Sequence, residues 1–150
     1  MSSLTVFLDA SVILSGLASS SGGSGLLLTA AKKKKLKLIT TPLILNEVHR
    51  HLGKLKLTSK QLITCLDQKL ITLKNNPPPA LIQRCAKLTT DPDDAHVLAG
   101  AINCHCRFLL TLDKKHLANQ KVNQSLKPLR IFTPKQFWKY LKNSANWQSD

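Results

Sequence analysis

Thr5-Val-Phe-Leu-Asp9-Ala-Ser-Val-Ile-Leu-Ser15 passes from a short strand-like run, Thr5 to Leu8, through a single carboxylate into a helical pattern that extends from Ser11 to Ala18. This succession recurs along the chain and is the signature of a parallel α/β sheet rather than of separate α and β blocks. Leu26 to Lys35 reads as a helix and Leu36 to Thr40 as a second strand. Thr41-Pro42 then opens a third helix, with a capping hydroxyl and proline at the first helical position. From Ser59 to Leu73 the apolar set Leu62, Ile63, Leu66, Leu70 and Leu73 recurs at helical spacing and predicts one long packing helix. Beyond the breaker Asn75-Asn-Pro-Pro-Pro79, Ala80 to Leu88 predicts a short helix, and Asp91 opens another that continues through Val97 to Cys104. Arg107 to Leu112 and Leu129 to Phe132 read as strands, and Thr133-Pro134 caps a last helix carrying Phe137, Trp138 and Leu141. Ser19-Ser-Ser-Gly-Gly-Ser-Gly25 reads as a flexible loop, and no Gly-Lys-Ser/Thr follows its glycines to make a phosphate-binding loop. Residues 1–142 form one expected domain without internal repeats, and 143–150 an expected frayed tail.

The chain has 150 residues, 43% of them hydrophobic, and a domain of this size buries roughly 70% of its unfolded surface without staples. Its cysteines, at 65, 85, 104 and 106, fall within apolar or helical segments rather than at the spacings of a disulfide framework, so the expected setting is reducing and cytoplasmic. No basic leader precedes the first apolar stretch and Asp9 interrupts it, so neither a signal peptide nor a membrane span is expected. Lys and Arg number 22 against 8 Asp and Glu, a formal charge of +14. The run Lys32-Lys-Lys-Lys35 is explained by a solvated face, but the bias of the whole chain predicts salt-dependent binding to nucleic acid. A membrane surface would also require a basic amphipathic helix with aromatic anchors, and none is legible.

The few acids occupy unusual positions. Asp9 and Asp113 end apolar strand-like runs, Glu47 interrupts Leu43-Ile-Leu-Asn-Glu-Val48, and Asp91, Asp93 and Asp94 share one tetrapeptide. Each has a plain alternative: a helix cap for Asp9, a polar face for Glu47, helix-start chemistry for Asp91-Pro-Asp-Asp94 and a turn for Asp113. Together they say more, because acids at strand ends and at a helix start would converge on the sheet edge where open parallel sheets bind ligands. Asp94, just before Val97, Leu98 and Ala101, must turn partly toward the core. Carboxylates crowded there repel and resist desolvation unless a cation joins them. Four of them make an oxygen cage suited to Mg²⁺ or Mn²⁺, one ion or two, and to phosphodiester hydrolysis by a metal-activated water.

At these residues the sequence resembles the PIN-domain nuclease family, which includes the toxin ribonucleases of bacterial toxin–antitoxin pairs. The matching elements are Phe7-Leu-Asp9-Ala-Ser-Val-Ile-Leu-Ser15, Pro42-Leu-Ile-Leu-Asn-Glu47-Val, Asp91-Pro-Asp-Asp94-Ala-His-Val-Leu-Ala99 and Leu110-Thr-Leu-Asp113-Lys-Lys-His-Leu117, with Phe132-Thr-Pro-Lys-Gln-Phe137 as the closing segment. The resemblance implies a three-layer α/β/α domain with a central parallel sheet. It further implies metal-binding catalytic acids at Asp9, Glu47, Asp94 and Asp113, support from Ser11 and Thr111, and an RNA substrate cut to leave a 5′-phosphate. A cognate antitoxin and a homodimer are its implied partners. Two departures bear on a second metal: Leu112 stands where a small residue is usual, and Lys115 where many members carry another acid. Asp91 and Asp93 could supply that charge or serve only as caps.

Lys114 and Lys115, beside Asp113, are candidate phosphate contacts. His96 and His116 lie near the acids, with ordinary part-exposed histidines as the plainer reading. Cys104-His105-Cys106 lacks a second ligand pair at zinc-finger spacing, and alternation into a buried strand would send both cysteines to one side. Trp138 and Tyr140 read as core or dimer residues. A haloacid-dehalogenase-type phosphatase would need Asp-x-Asp where this chain has Asp9-Ala-Ser11, and a receiver domain would need a paired acid after the first. The remaining rival is a catalytically inactive RNA-binding or protein-interaction module on the same fold.

Overall fold

The computed structural model describes residues 4–144 and 147. Five parallel strands form one sheet in the order β3-β2-β1-β4-β5, with β1 at Leu4–Leu8, β2 at Leu36–Thr40, β3 at Ile71–Leu73, β4 at Phe108–Leu110 and β5 at Arg130–Phe132. Helices α1 (Ala10–Ala18), α2 (Gly23–Lys32), α3 (Pro42–His51), α4 (Ser59–Asp67), α5 (Pro79–Cys85), α6 (Ala95–Asn103), α7 (Gln120–Ser125) and α8 (Pro134–Lys142) flank the sheet on both sides, a three-layer α/β/α domain. From β1 the chain builds outward to β2 and β3, then returns to β4 beside β1 and on to β5. The reversal therefore lies between β1 and β4, the point at which open parallel sheets bind ligands beyond their strand ends.

The central strands are apolar at successive positions because helices cover both faces. Val6, Phe7 and Leu8 on β1 and Phe108, Leu109 and Leu110 on β4 are all buried. Their register pairs Leu8 with Leu110 and so sets Asp9 level with Thr111. At the far edge Phe108 packs edge-on against Phe137 of α8 at 5.3 Å, with Phe132 and Tyr140 completing the cluster. On the face beneath α6, Gly100 rests on Phe7, and a Cβ there would lie 2.5 Å from the phenyl tip. Among the described residues no single helix is long and apolar enough to cross a membrane.

Several boundaries differ from the sequence expectation. The helix expected over Ser59–Leu73 stops at Asp67, and Ile71–Leu73 forms the edge strand β3. Its turn is made by Lys69 at φ 57, with Leu70 N–H donating to Cys65 O at 2.9 Å. Helix α2 begins at Gly23, inside the expected loop and earlier than Leu26; Gly25 belongs to its first turn, pressed against the backbone of Ser19 and Ser20 where a Cβ would collide. It ends at Lys32, short of Lys35, because Lys34 turns the chain at φ 60. Thr41 flanks α3 as expected but makes no side-chain cap bond. Strand β4 ends at Leu110, leaving Leu112 exposed, and α7 lies in a stretch for which the sequence predicts no element. Cys104 and Cys106 stand in the turn before β4 rather than on a strand, with His105 at φ 56 between them. The expected frayed tail falls largely outside the described residues; within it, Trp147 lies 5.8 Å from Trp138.

Candidate functional site

Asp9 follows β1 directly and begins α1 as its N-cap, accepting from Ala10 N–H at 2.7 Å. Burial pushes its carboxyl pKa up, opposed by the Thr111 and Ala10 hydrogen bonds and reinforced by nearby Glu47. The Thr111 hydroxyl donates to Asp9 Oδ2 at 2.6 Å and accepts from the Asp113 N–H at 3.1 Å. Ser11 Oγ approaches the same Oδ2 at 3.4 Å and accepts from Leu112 N–H at 3.1 Å. The two hydroxyls expected to support the site therefore stitch the end of β1 to the loop after β4.

That loop turns back on itself at Asp113. His116 donates its N–H to Asp113 Oδ1 at 2.9 Å and sets its Nδ1 3.0 Å from Oδ2. Burial alone would raise the Asp113 carboxyl, but the His116 backbone and imidazole bonds outweigh it and hold the group below its ordinary value.

Asp94 enters from the other side. It lies at the end of a 3₁₀ turn, Pro92–Asp94, and flanks α6 without capping it through its side chain. The expectation of a helix-borne Asp94 is thus corrected to a position one residue before the α-helix. Among the described residues Asp94 Oδ2 is buried with no hydrogen-bond partner, and His116 Nδ1 stands 4.0 Å away. Burial raises the Asp94 carboxyl to about 7, with Asp113, Asp9 and Asp91 adding repulsion in that order. Asp91 accepts from Asp93 N–H at 3.0 Å, so it caps the turn, and it also faces the cluster. Among the described residues, ligand atoms of Asp91, Asp94 and His116 lie within 4.8 Å of one another. Asp93 is exposed.

Glu47 projects from α3 half-buried and near enough to act on Asp9. His96, at the start of α6, is held below its usual pKa by burial, against the pull of Glu47 and Asp93. Lys114 and Lys115 are exposed immediately beyond Asp113.

The donor set suits a hard divalent cation: carboxylate oxygens, one imidazole, and a buried oxygen with no protein partner. From sequence His116 reads as an ordinary histidine; its three-residue spacing from Asp113 is the available signal, and only the tight turn between them makes the contact. Among the described residues Thr41 Oγ1 and His96 Nδ1 are also buried without hydrogen-bond partners.

The family model described as PIN domain matches residues 5–115. Among solved structures, PAE2754 from Pyrobaculum aerophilum is similar at 18% identity and TM-score 0.61, over 93% of this chain and 97% of that one. The Mycobacterium tuberculosis protein VapC20, described as a sarcin-ricin loop cleaving toxin, is similar at 11% identity and TM-score 0.50, over 69% of this chain and 86% of that one. No curated protein sequence matches significantly.

Proposed function

The chain belongs to the PIN-domain family, and from that premise we propose that it is an Mg²⁺- or Mn²⁺-dependent endoribonuclease with Asp9, Glu47, Asp94 and Asp113 as its catalytic acids. PIN domains are generally metal-dependent nucleases. The observation that carries the reading is the buried, unpartnered Asp94 Oδ2 among carboxylates at the reversal point of the sheet, an arrangement that favours a cation over empty space. A divalent ion bound there supplies an activated water and charge for the leaving oxygen.

The protein's own groups do the rest. Thr111 and Ser11 fix the Asp9 carboxylate, and His116 fixes Asp113 and keeps it ionised. Asp91 and His116 are further candidate ligands, so the site takes its additional donors from within the cluster rather than from position 115. Lys114 and Lys115 contact substrate phosphate from the exposed rim. The toxin role is supported by the likeness to a protein described as a toxin, and the family resemblance adds an antitoxin covering the acidic edge and a homodimeric state.

The test incubates the purified protein with single-stranded and structured RNA, with Mn²⁺ or EDTA, beside Asp9→Asn and Asp94→Asn. Cleavage requiring Mn²⁺ and absent from both variants is the expected result. Cleavage persisting in EDTA and in the variants would sink the reading, and RNA binding without any cleavage would favour the inactive module.

A further inference from the structure

Beside the sheet, α2 and α8 enclose a cleft of about 400 Å³, with Lys33 and Lys35 just ahead of β2. Leu26, Trp138 and Trp147 give it apolar walls, and Lys33, Lys35 and Lys142 stand around it; among the described residues none that lines it is acidic. The Trp138 indole is pinned by its N–H donating to Gly23 O at 2.9 Å, and Trp147 lies across it at 58°. Lys35 Nζ sits 6.0 Å from the Trp147 ring centre. Lys33 and Lys142 are exposed, Leu26 is 46% exposed, and Lys32 and Lys34 extend the positive charge beyond the rim.

Aromatic walls beside ammonium groups are the chemistry of single-stranded nucleic-acid binding: every base offers a π-face, and lysines neutralise the adjoining phosphates. The volume admits a base with its sugar but not a duplex, whose bases are already stacked. We infer that this cleft is a second nucleic-acid contact, holding one unpaired nucleotide with its base against the indoles and its flanking phosphates on Lys33 and Lys142. The choice of RNA rests on the function proposed above; the cleft's own chemistry specifies an unpaired nucleotide. The described lining residues of the cleft include none of the acids, so a bound strand has a contact separate from them, and selection for unpaired RNA is made away from the scissile bond.

The chain has two tryptophans, both in this cleft, so their emission reports it directly. The experiment titrates full-length protein in EDTA with an unpaired RNA 12-mer, the same sequence as a duplex, and poly-glutamate, following tryptophan fluorescence against salt. Wild type should be quenched by the single strand alone. Lys33→Ala combined with Lys142→Ala should weaken quenching and lower the salt slope by about 1.4, while the Tm is unchanged. Lys54→Ala with Lys87→Ala, an equal loss of exposed charge outside both sites, should leave the quench in place. Unaltered tryptophan emission on RNA binding, equal affinity of the Lys33/Lys142 variant, or equal quenching by poly-glutamate, which would point to an acidic protein partner, each overturns the inference. Because binding is read without metal, its failure is separable from a failure to cleave.

Discussion

Thr111 Oγ1 and Asp9 Oδ2, 102 positions apart in sequence, meet at 2.6 Å, and the same hydroxyl accepts from the Asp113 N–H. Thr111 is fully buried, and its hydroxyl is held between these two partners. Thr111→Val keeps the shape but leaves the Asp113 N–H unpaired and frees the Asp9 carboxylate. Destabilisation of about 1–3 kcal/mol is expected, with metal affinity or activity down roughly 10–100-fold. Thr111→Ser should recover most of both; denaturant melts and Mn²⁺ calorimetry are the measurements, and a silent Thr111→Val would refute the link.

Asp94 makes metal-free stability depend on pH. Its folded-state carboxyl is raised from 3.8 to about 7, so between those values the folded protein retains a proton that the unfolded chain has lost. Stability therefore falls as pH rises through this window. A tenfold difference in proton affinity between the two states is worth about 1.4 kcal/mol, and solvent reaching the carboxyl screens part of the full effect. At this size 1 kcal/mol moves the Tm by roughly 2–4 °C. EDTA-treated protein should melt several degrees lower at pH 8 than at pH 5, and Asp94→Asn should flatten that difference. Mn²⁺ at pH 8 should raise the wild-type Tm and leave the variant nearly unmoved. Identical pH profiles for the two proteins would contradict the assignment.

His116 holds Asp113 by two contacts and faces Asp94. His116→Gln loses the imidazole while the backbone bond to Asp113 remains available. Mn²⁺ affinity should fall by roughly 10–100-fold, and this loss should exceed that for His96→Gln, whose ring lies outside the three-residue cluster. Isothermal titration compares the two directly. Equal losses would demote His116 to a generic neighbour.

Lys69 turns the chain from α4 into β3 at φ 57, where glycine carries no Cβ penalty. Its side chain is exposed, so Lys69→Gly should stabilise the protein by about 0.5–1 kcal/mol. Chemical denaturation measures it, and destabilisation would mean that the lysine makes a compensating contact.

The same backbone conformation explains which parts of the fold are illegible in the sequence. Lys34, Lys69 and His105 each end a helix at positive φ just before a strand, at positions usually given to glycine. Without that punctuation, α2 reads as running on to Lys35 and α4 as running through β3; Leu70 and Leu73 continue its helical spacing by coincidence. In contrast, the Thr133–Gln136 capping box and Pro134 announce α8 where it occurs. The carboxylates are legible because a charge closing an apolar run has few structural uses. Their grouping is not, since it depends on the tight turn from Asp113 to His116 and on Asp94 leaving the helix proper.

The contact of Gly100 with Phe7 links α6, which follows Asp94, to β1, which ends at Asp9. One phenyl ring thus acts as a spacer, and the separation of the two carboxylates is calibrated inside the core, out of reach of solvent or substrate. On the proposed function, changes in the outer loops can retune the choice of substrate while the two carboxylates keep their spacing. A methyl group at position 100, far from any ligand, would change that gauge.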